Sequence, residues 1–168
     1  TPQPATPAAV AEVVVQLVEH HQWTGPIGVA FPAIVRYGVV DLAANIDPSW
    51  MGTDAEALLA AATKLPVTMI NDADAAGLAE MRFGAGRDRL GVVIMLTFGT
   101  GIGSGFFMDG VLVPNTELGH LELDGFDAET RAAASVRERE GIGWKRWVPR
   151  VERYLRHVEM LFSPELFI

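Results

Sequence analysis

One segment, residues 91–105, constrains the fold more than the rest of the chain, because an apolar run leads there into closely spaced glycines. Residues 91–98 are apolar at nearly every position, which predicts a strand buried on both faces and therefore inside a sheet. Four glycines follow within residues 99–105. The glycine loop then leads into another strand, which excludes a P-loop and a dinucleotide-binding fingerprint, since both need a following helix.

Around this segment, the sequence alternates between helical and extended patterns. Thr6 and Pro7 suit the N-cap and first position of a helix, and Asp109 with Gly110 suits a two-residue hairpin turn. Helices are predicted over residues 6–23, 53–62, 73–83, 127–139 and 147–162, and strands over residues 27–31, 37–40, 65–70, 91–98, 105–108 and 111–113. This alternation indicates an α/β fold, with a domain boundary expected at residues 86–90.

The composition narrows the class of protein. The chain has 168 residues, 49% of them hydrophobic, which is enough for one good core or two small ones. No apolar run is long enough to cross a membrane and no signal peptide is evident, so we expect no membrane partner. Cysteine is absent, which removes disulfides and thiolate metal sites and is compatible with the cytoplasmic location that we predict.

The net charge of −8 is unevenly distributed, since residues 131–157 carry eight arginines and lysines against three acidic residues. Arg146, Arg150 and Arg153 share one face of the predicted last helix and could follow a linear polyanion. A solvated helix surface explains the same pattern equally well. Because the rest of the chain is acidic, we expect no nucleic-acid partner.

Asp72 follows a predicted strand and opens a predicted helix, where a carboxylate can act in two ways. It can cap the helix by accepting a backbone N–H. It can also face the ligand cleft at the end of a parallel strand and serve as a general base toward a sugar hydroxyl during phosphoryl transfer. Asn71 could donate to the same sugar, whereas Asp74 is expected to face away.

The glycine loop also has two interpretations. The backbone amides around Gly99, Gly101 and Gly103 could turn toward a phosphate, with the hydroxyl of Thr100 as a further donor. Alternatively, the loop is a tight β-turn whose glycines supply positive φ angles.

Glu117 and His120 lie three residues apart and would share a face of a turn or helix start. They suit sugar hydroxyls, but a capping box with Asn115 or Thr116 as the cap is the structural alternative. A metal site would need a third ligand, and none follows at the usual spacing, so we predict no protein-held metal.

These motifs resemble the ROK family of bacterial sugar kinases, and within it the branch that uses inorganic polyphosphate. The resemblance rests on residues 71–77, 96–104 and 114–122 as an ordered set, with support from residues 28–32 and 44–53. It implies a hexokinase-type, actin-like ATPase fold (ribonuclease H-like) with two lobes. Residues 1–88 would belong to the small lobe and residues 89–168 to the large one.

The resemblance also implies roles for individual residues. Asp72 matches the catalytic base, and Gly99, Thr100, Gly101 and Gly103 match a second phosphate-binding loop. Sugar ligands are expected at Asn45, Asn71, Glu117, His120 and Glu129, with Glu122 as the rival of Glu129. Most ROK proteins hold a structural zinc through one histidine and three cysteines, so a chain without cysteine should hold no zinc. Ala33 stands where the family usually has glycine.

The activity implied is transfer of a phosphoryl group from polyphosphate, and possibly from ATP, to the 6-hydroxyl of glucose with Mg²⁺. Polyphosphate would lie along Arg146, Arg150 and Arg153. The alternatives are an ATP-dependent kinase of another hexose and a sugar-sensing regulator without catalysis. The family's N-terminal glycine loop with its Asp and its C-terminal Gly-Gly-Gly are missing, so we expect an incomplete fold, an internal piece of a homodimeric enzyme that is inactive alone.

Overall fold

The protein was analysed as a computed structural model that describes residues 3–42 and 46–168. The chain forms two compact units, Thr1–Asp72 and Ala73–Ile168. The assignment of residues 1–88 and 89–168 to two lobes concerns the whole protein and stays a prediction. No helix within the described ranges is both long enough and apolar enough to cross a membrane.

The first unit packs two helices with two pairs of strands. Its elements are α1 (Pro7–His20), β1 (Ile27–Phe31), β2 (Ile34–Arg36), β3 (Val39–Leu42), a 3-10 helix (Pro48–Trp50), α2 (Ala55–Thr63) and β4 (Val67–Asn71). β1 and β4 run parallel, from Ile27 opposite Val67 to Phe31 opposite Asn71, whereas β2 and β3 are antiparallel. Because β1 and β4 are parallel, Phe31 and Asn71 end their strands at the same edge.

Caps and a small core hold this unit. The predicted cap of α1 is confirmed, since the Thr6 side chain accepts a hydrogen bond from the Ala9 amide. Asp54 caps α2 in the same way, accepting from the Ala57 amide at 2.9 Å. Trp50 is buried in the core, where its ring meets Phe31 edge to face.

The second unit is built on a four-stranded sheet in the order β10–β5–β6–β7. Its strands are β5 (Val92–Phe98), β6 (Ile102–Met108), β7 (Val111–Val113) and β10 (Leu166–Phe167), with a separate hairpin of β8 (Glu122–Leu123) and β9 (Phe126–Asp127). β5 lies between β10 and β6, which confirms the predicted interior strand. The hairpin turn is confirmed too, with φ of 51° at Asp109 and 80° at Gly110.

Helices complete the second unit. They are α3 (Asp72–Phe83), which begins at the last residue of the first unit, α4 (Glu129–Ala132), α5 (Ala134–Arg139) and α6 (Trp144–Phe162), together with a 3-10 helix (Leu118–His120). Tyr154 and Val158 of α6 are fully buried against Ile94 of β5. One face of α6 therefore contributes to the core of the unit.

The prediction of one helix over residues 127–139 was wrong. The segment contains β9, then α4 and α5, which are separated by an extended residue at Ala133 (φ −60°, ψ 152°). The Ala133 carbonyl accepts a hydrogen bond from the Val136 amide at 3.1 Å and a second one from the buried Trp147 indole at 3.1 Å. The Ser135 amide likewise donates to Gly99 at 3.0 Å. Tertiary hydrogen bonds have replaced helical ones.

Candidate active site

The predicted site residues fall into two groups, one in each unit. The first group stands at the end of β4, where the strand passes directly into α3. Asp72 is the first residue of α3 and is exposed to solvent, so its carboxylate is not packed in hydrocarbon. Asn71 is buried, and its side-chain amide donates to the Ala33 carbonyl at 3.2 Å. Asn45 lies outside the described residues.

Asp74, the other acid near this strand end, has a structural role. Its side chain is buried, and one carboxylate oxygen accepts a hydrogen bond from the Asn115 amide at 2.8 Å. Asn115 has a left-handed backbone with φ of 58°. Asp74 therefore ties α3 to the turn that precedes Glu117, and this bond helps to position the second group of site residues.

The glycine loop is the turn of the β5–β6 hairpin, and Phe98 and Ile102 form its last strand pair. The Gly99 amide donates to the Gly101 carbonyl at 3.0 Å. Neither Gly99 nor Gly101 nor Gly103 adopts a positive φ, so the turn does not need glycine for that reason. The alternative of a turn held by positive φ angles therefore does not describe this loop.

Space explains two of the three glycines. A Cβ atom on Gly101 would lie closer than 3.0 Å to a carboxylate oxygen of Glu129. A Cβ atom on Gly103 would lie 2.7 Å from the Thr97 hydroxyl and 2.9 Å from the Ala73 side chain, in the first turn of α3. At Gly99, by contrast, a Cβ atom would meet nothing within 4 Å. The open position of the loop is thus Gly99.

Two hydrogen bonds fix the exposed part of this loop. The Ser135 amide donates to the Gly99 carbonyl at 3.0 Å, and the Ser135 hydroxyl donates to the Thr100 carbonyl at 2.6 Å. Gly99 and Thr100 are both exposed. A loop held by its carbonyls while its tip stays accessible is suited to bind a ligand without reorganising.

Glu117 precedes the 3-10 helix Leu118–His120 and His120 is its last residue. This helix packs closely against β6. A Cβ atom on Gly119 would overlap the Ile102 carbonyl oxygen, so only glycine permits this approach. The Leu118 amide donates to the Ser104 hydroxyl at 3.1 Å. The capping-box alternative does not hold, because Glu117 itself is the N-terminal cap residue and no side chain caps the helix.

His120 is bound to a residue that the sequence analysis did not select. Its Nδ1 lies 2.8 Å from a carboxylate oxygen of Asp127 and 4.0 Å from one of Glu129. The hydrogen bond to Asp127 raises the pKa of His120, and the negative charges of Glu129, Asp127 and Glu117 act in the same direction, against a smaller opposing effect of burial. With Nδ1 occupied, Nε2 is the ring nitrogen left for a ligand.

Glu129 connects this cluster to the glycine loop. Its side chain, 26% exposed, accepts a hydrogen bond from the Ile102 amide at 3.0 Å. Burial, and to a lesser extent the charge of Glu129, raises the pKa of the neighbouring Tyr154, whose hydroxyl therefore stays protonated. Glu122, the rival candidate, is exposed in β8. The geometry therefore groups His120 with Glu129.

Asp127 provides the third potential metal ligand that the spacing of Glu117 and His120 did not reveal. One ligand atom from each of His120, Asp127 and Glu129 lies within 4.8 Å of the other two, so the three side chains could hold a cation. The spacing argument found no third ligand because Asp127 comes seven residues after His120, on a separate hairpin. The sequence offered no signal for Asp127, because residues 127–139 were predicted to form one helix.

The predicted polyanion stripe on α6 has two of its three arginines engaged. Arg150 pairs with Glu140 at 2.8 Å, and Arg153 pairs with Asp124 at 2.7 Å. Arg146 is exposed. A polyanion would have to displace carboxylates from this face.

The features described so far define a mixed α/β protein with a clamped glycine loop beside a cluster of carboxylates and an imidazole. A model described as the ROK family matches residues 1–138. The chain belongs to the ROK family, which confirms the resemblance inferred from its motifs.

Relatives and solved structures agree with this assignment. The polyphosphate glucokinases of Mycobacterium leprae and Mycobacterium tuberculosis are 50% and 51% identical to this chain over 169 residues, covering 100% of it. The chain spans 52% and 64% of their respective lengths. The solved inorganic polyphosphate/ATP-glucomannokinase from Arthrobacter sp. strain KM is 56% identical, with a TM-score of 0.92 over 99% of this chain and 69% of that one.

Proposed function

We propose that the protein carrying this chain transfers a phosphoryl group from inorganic polyphosphate, and also from ATP, to the 6-hydroxyl of glucose. The names of the relatives support this reaction. The structural observation that carries it is the bond between Glu129 and the Ile102 amide. That bond ties a cluster suited to sugar hydroxyls to a loop suited to phosphate.

In this proposal the sugar is held by carboxylates, amides and an imidazole. Glu129 and Glu117 accept hydrogen bonds from hydroxyls, and His120 presents Nε2 because Asp127 occupies Nδ1. Asn71 and Asn45 are assigned to the same sugar. Gly99, Thr100, Gly101 and Gly103 serve the phosphates, with Gly99 as the point of closest backbone approach.

Asp72 is assigned the role of general base. It draws the proton from the 6-hydroxyl as the oxygen attacks the terminal phosphorus. Its exposure at the start of α3 supports this role. The fold that we propose for the whole protein is the hexokinase-type, actin-like ATPase fold with two lobes.

Mg²⁺ is expected to accompany the phosphoryl donor. This ion prefers oxygen ligands and is usually held by one or two carboxylates together with substrate phosphates. The cluster of His120, Asp127 and Glu129 includes an imidazole and fits Mg²⁺ poorly, whereas the exposed Asp72 offers the kind of single carboxylate that such a site needs. The ion would neutralise charge on the transferred group.

Three further assignments belong to the whole protein. We propose that Arg146, Arg150 and Arg153 guide polyphosphate along α6, that the enzyme is a homodimer, and that it acts in the cytoplasm. Mannose is a second candidate acceptor, because the solved structure with 56% identity is named a glucomannokinase. Assays with glucose and mannose, each with polyphosphate or ATP, decide between these substrates.

The test of the base is Asp72→Asn in the protein that carries this chain. Asparagine has nearly the same size and shape as aspartate, so the substitution removes the base and leaves the volume of the side chain unchanged. We expect kcat to fall at least about a hundredfold, the low end for general-base catalysis, with an unchanged unfolding midpoint. Asp54→Asn, at the cap of α2, is the matched control and should retain full activity. Near-normal turnover of Asp72→Asn would refute the role of Asp72 as the base, whereas glucose binding without any turnover by the unchanged protein would favour a sugar-binding regulator.

A further inference from the structure

A pocket of about 280 Å³ lies in the second unit, on the other face of the segment that holds Asp127. Phe126 and Ala128 line it, whereas Asp127 between them bonds to His120. Phe126 and Asp127 are successive residues of the extended strand β9, so their side chains point to opposite faces. The pocket is therefore separate from the proposed sugar ligands but shares their backbone.

Three arginines line this pocket, namely Arg131, Arg150 and Arg153, against one acidic residue, Asp124. The Arg131 guanidinium lies 3.8 Å from the centre of the Phe126 ring, a cation–π contact that orients it. Arg131 forms no ion pair with any residue in the ranges 3–42 and 46–168. Among the described residues, this guanidinium is thus oriented by an aromatic ring and has no carboxylate within ion-pair distance.

The other two arginines are held by bonds that an anion can exchange. Arg153 donates two hydrogen bonds to Asp124, at 3.2 and 2.7 Å, but both side chains are 60% exposed, so an anion in solution can reach the pair. Arg150 donates to the Arg131 carbonyl at 3.4 Å as well as to Glu140, which keeps its guanidinium next to the segment of Arg131. Guanidinium groups bind phosphate oxygens in the same bidentate geometry as carboxylate oxygens, so a phosphate group can take the place of either carboxylate.

We propose that this pocket is an accessory binding site for a short inorganic oligophosphate, with Arg131 as its principal contact. The identity of the anion rests on the proposed function, because a polyphosphate-using enzyme meets this ligand. The volume lies at the small end of the range for ligand pockets, about 300–1,000 Å³, which favours a compact anion over a nucleotide. Arg146 does not line the pocket.

The test is calorimetric titration of the protein that carries this chain with sodium tripolyphosphate, without glucose, so that no turnover is involved. We expect Arg131→Gln to abolish one binding event or weaken it at least about tenfold. Arg156→Gln is the matched control, because Arg156 lies on α6, pairs with Glu152 and does not line the pocket. The control should bind tripolyphosphate like the unchanged protein.

A second variant keeps the test decisive if Arg131→Gln fails to fold. Asp124→Asn removes the carboxylate that competes for Arg153, so it should tighten tripolyphosphate binding. Identical isotherms for the unchanged protein and both pocket variants would overturn the site. Equal binding of sulfate and tripolyphosphate would overturn the oligophosphate assignment. Loss of glucokinase activity alone would bear on the proposed function and not on this pocket, since the titration needs no catalysis.

Discussion

Gly101→Ala should separate the structural from the functional reason for glycine in the loop. The new Cβ would lie closer than 3.0 Å to one Glu129 carboxylate oxygen and 3.1 Å from the carboxylate carbon. Because this carboxylate is the end of a flexible side chain, it can move more easily than the backbone. Moving it breaks the hydrogen bond that Glu129 accepts from the Ile102 amide at 3.0 Å.

The magnitude follows from that bond. Hydrogen bonds to charged groups contribute about 1.5–3 kcal/mol, and the 26% exposure of the Glu129 side chain favours the low end. Replacing glycine by alanine also restricts the unfolded chain, which stabilises the folded state by about 0.4–1 kcal/mol. Gly99→Ala shares this gain and meets nothing within 4 Å, so we expect Gly101→Ala to be about 1.5 kcal/mol less stable than Gly99→Ala.

Urea unfolding of both variants, followed by circular dichroism, measures this difference. Kinetics then distinguish their functional effects: Gly101→Ala should raise the KM for glucose, because Glu129 has moved, and Gly99→Ala should raise the KM for the phosphoryl donor. Equal stability of the two variants would show that the hydrogen bond between Glu129 and the Ile102 amide does not stabilise the loop. An unchanged donor KM in Gly99→Ala would argue against a phosphate at the open position.

Two other substitutions test the cluster around His120. Asp127→Asn should lower the pKa of His120 toward its ordinary value near 6.5, as measured by NMR titration of the imidazole. The folded-state pKa of His120 is raised, so the pairing of His120 with Asp127 stabilises the fold fully at acid pH, and this stabilisation is lost as pH rises through the folded-state pKa. Asp127→Asn should therefore lose more stability at pH 5 than at pH 9. An equal loss at both pH values would contradict the pairing. Gly119→Ala should lower the free energy of unfolding in urea by about 3 kcal/mol, the upper end for overpacking, because the new Cβ meets the rigid Ile102 carbonyl. A loss no greater than that of Gly101→Ala would contradict this explanation.

The elements with strong local signals could be predicted from the sequence. The interior strand β5 follows from its uninterrupted apolar run, and the hairpin turn follows from Asp109 and Gly110, whose positive φ angles few other residue pairs adopt readily. Thr6 was sufficient to mark the start of α1, because a cap is a contact between residues three apart. These features depend on neighbours in sequence.

The break between α4 and α5 could not be predicted in this way. It depends on the Trp147 indole reaching the Ala133 carbonyl and on Ser135 bonding to Gly99, contacts between residues 14 and more positions apart. The spacing of apolar residues along a helix gives no information about such distant partners. The sequence could not explain the glycine at position 101 for the same reason, because the side chain that a Cβ atom there would meet belongs to the distant Glu129.

Asp127 was missed because its importance arises from the β8–β9 hairpin, which returns the chain to His120. Once that hairpin is known, the alternation of β9 assigns its two residues to opposite faces: Asp127 contacts the imidazole, while Phe126 lines the arginine pocket together with the following Ala128. Glu129 then reaches the glycine loop from the first turn of α4. Four successive residues therefore contribute to the two proposed sites, so an anion that orders this segment from one face should also order the proposed sugar ligands on the other. By thermodynamic linkage, glucose would then strengthen oligophosphate binding by the same factor, and tripolyphosphate titrations with and without glucose should differ in affinity.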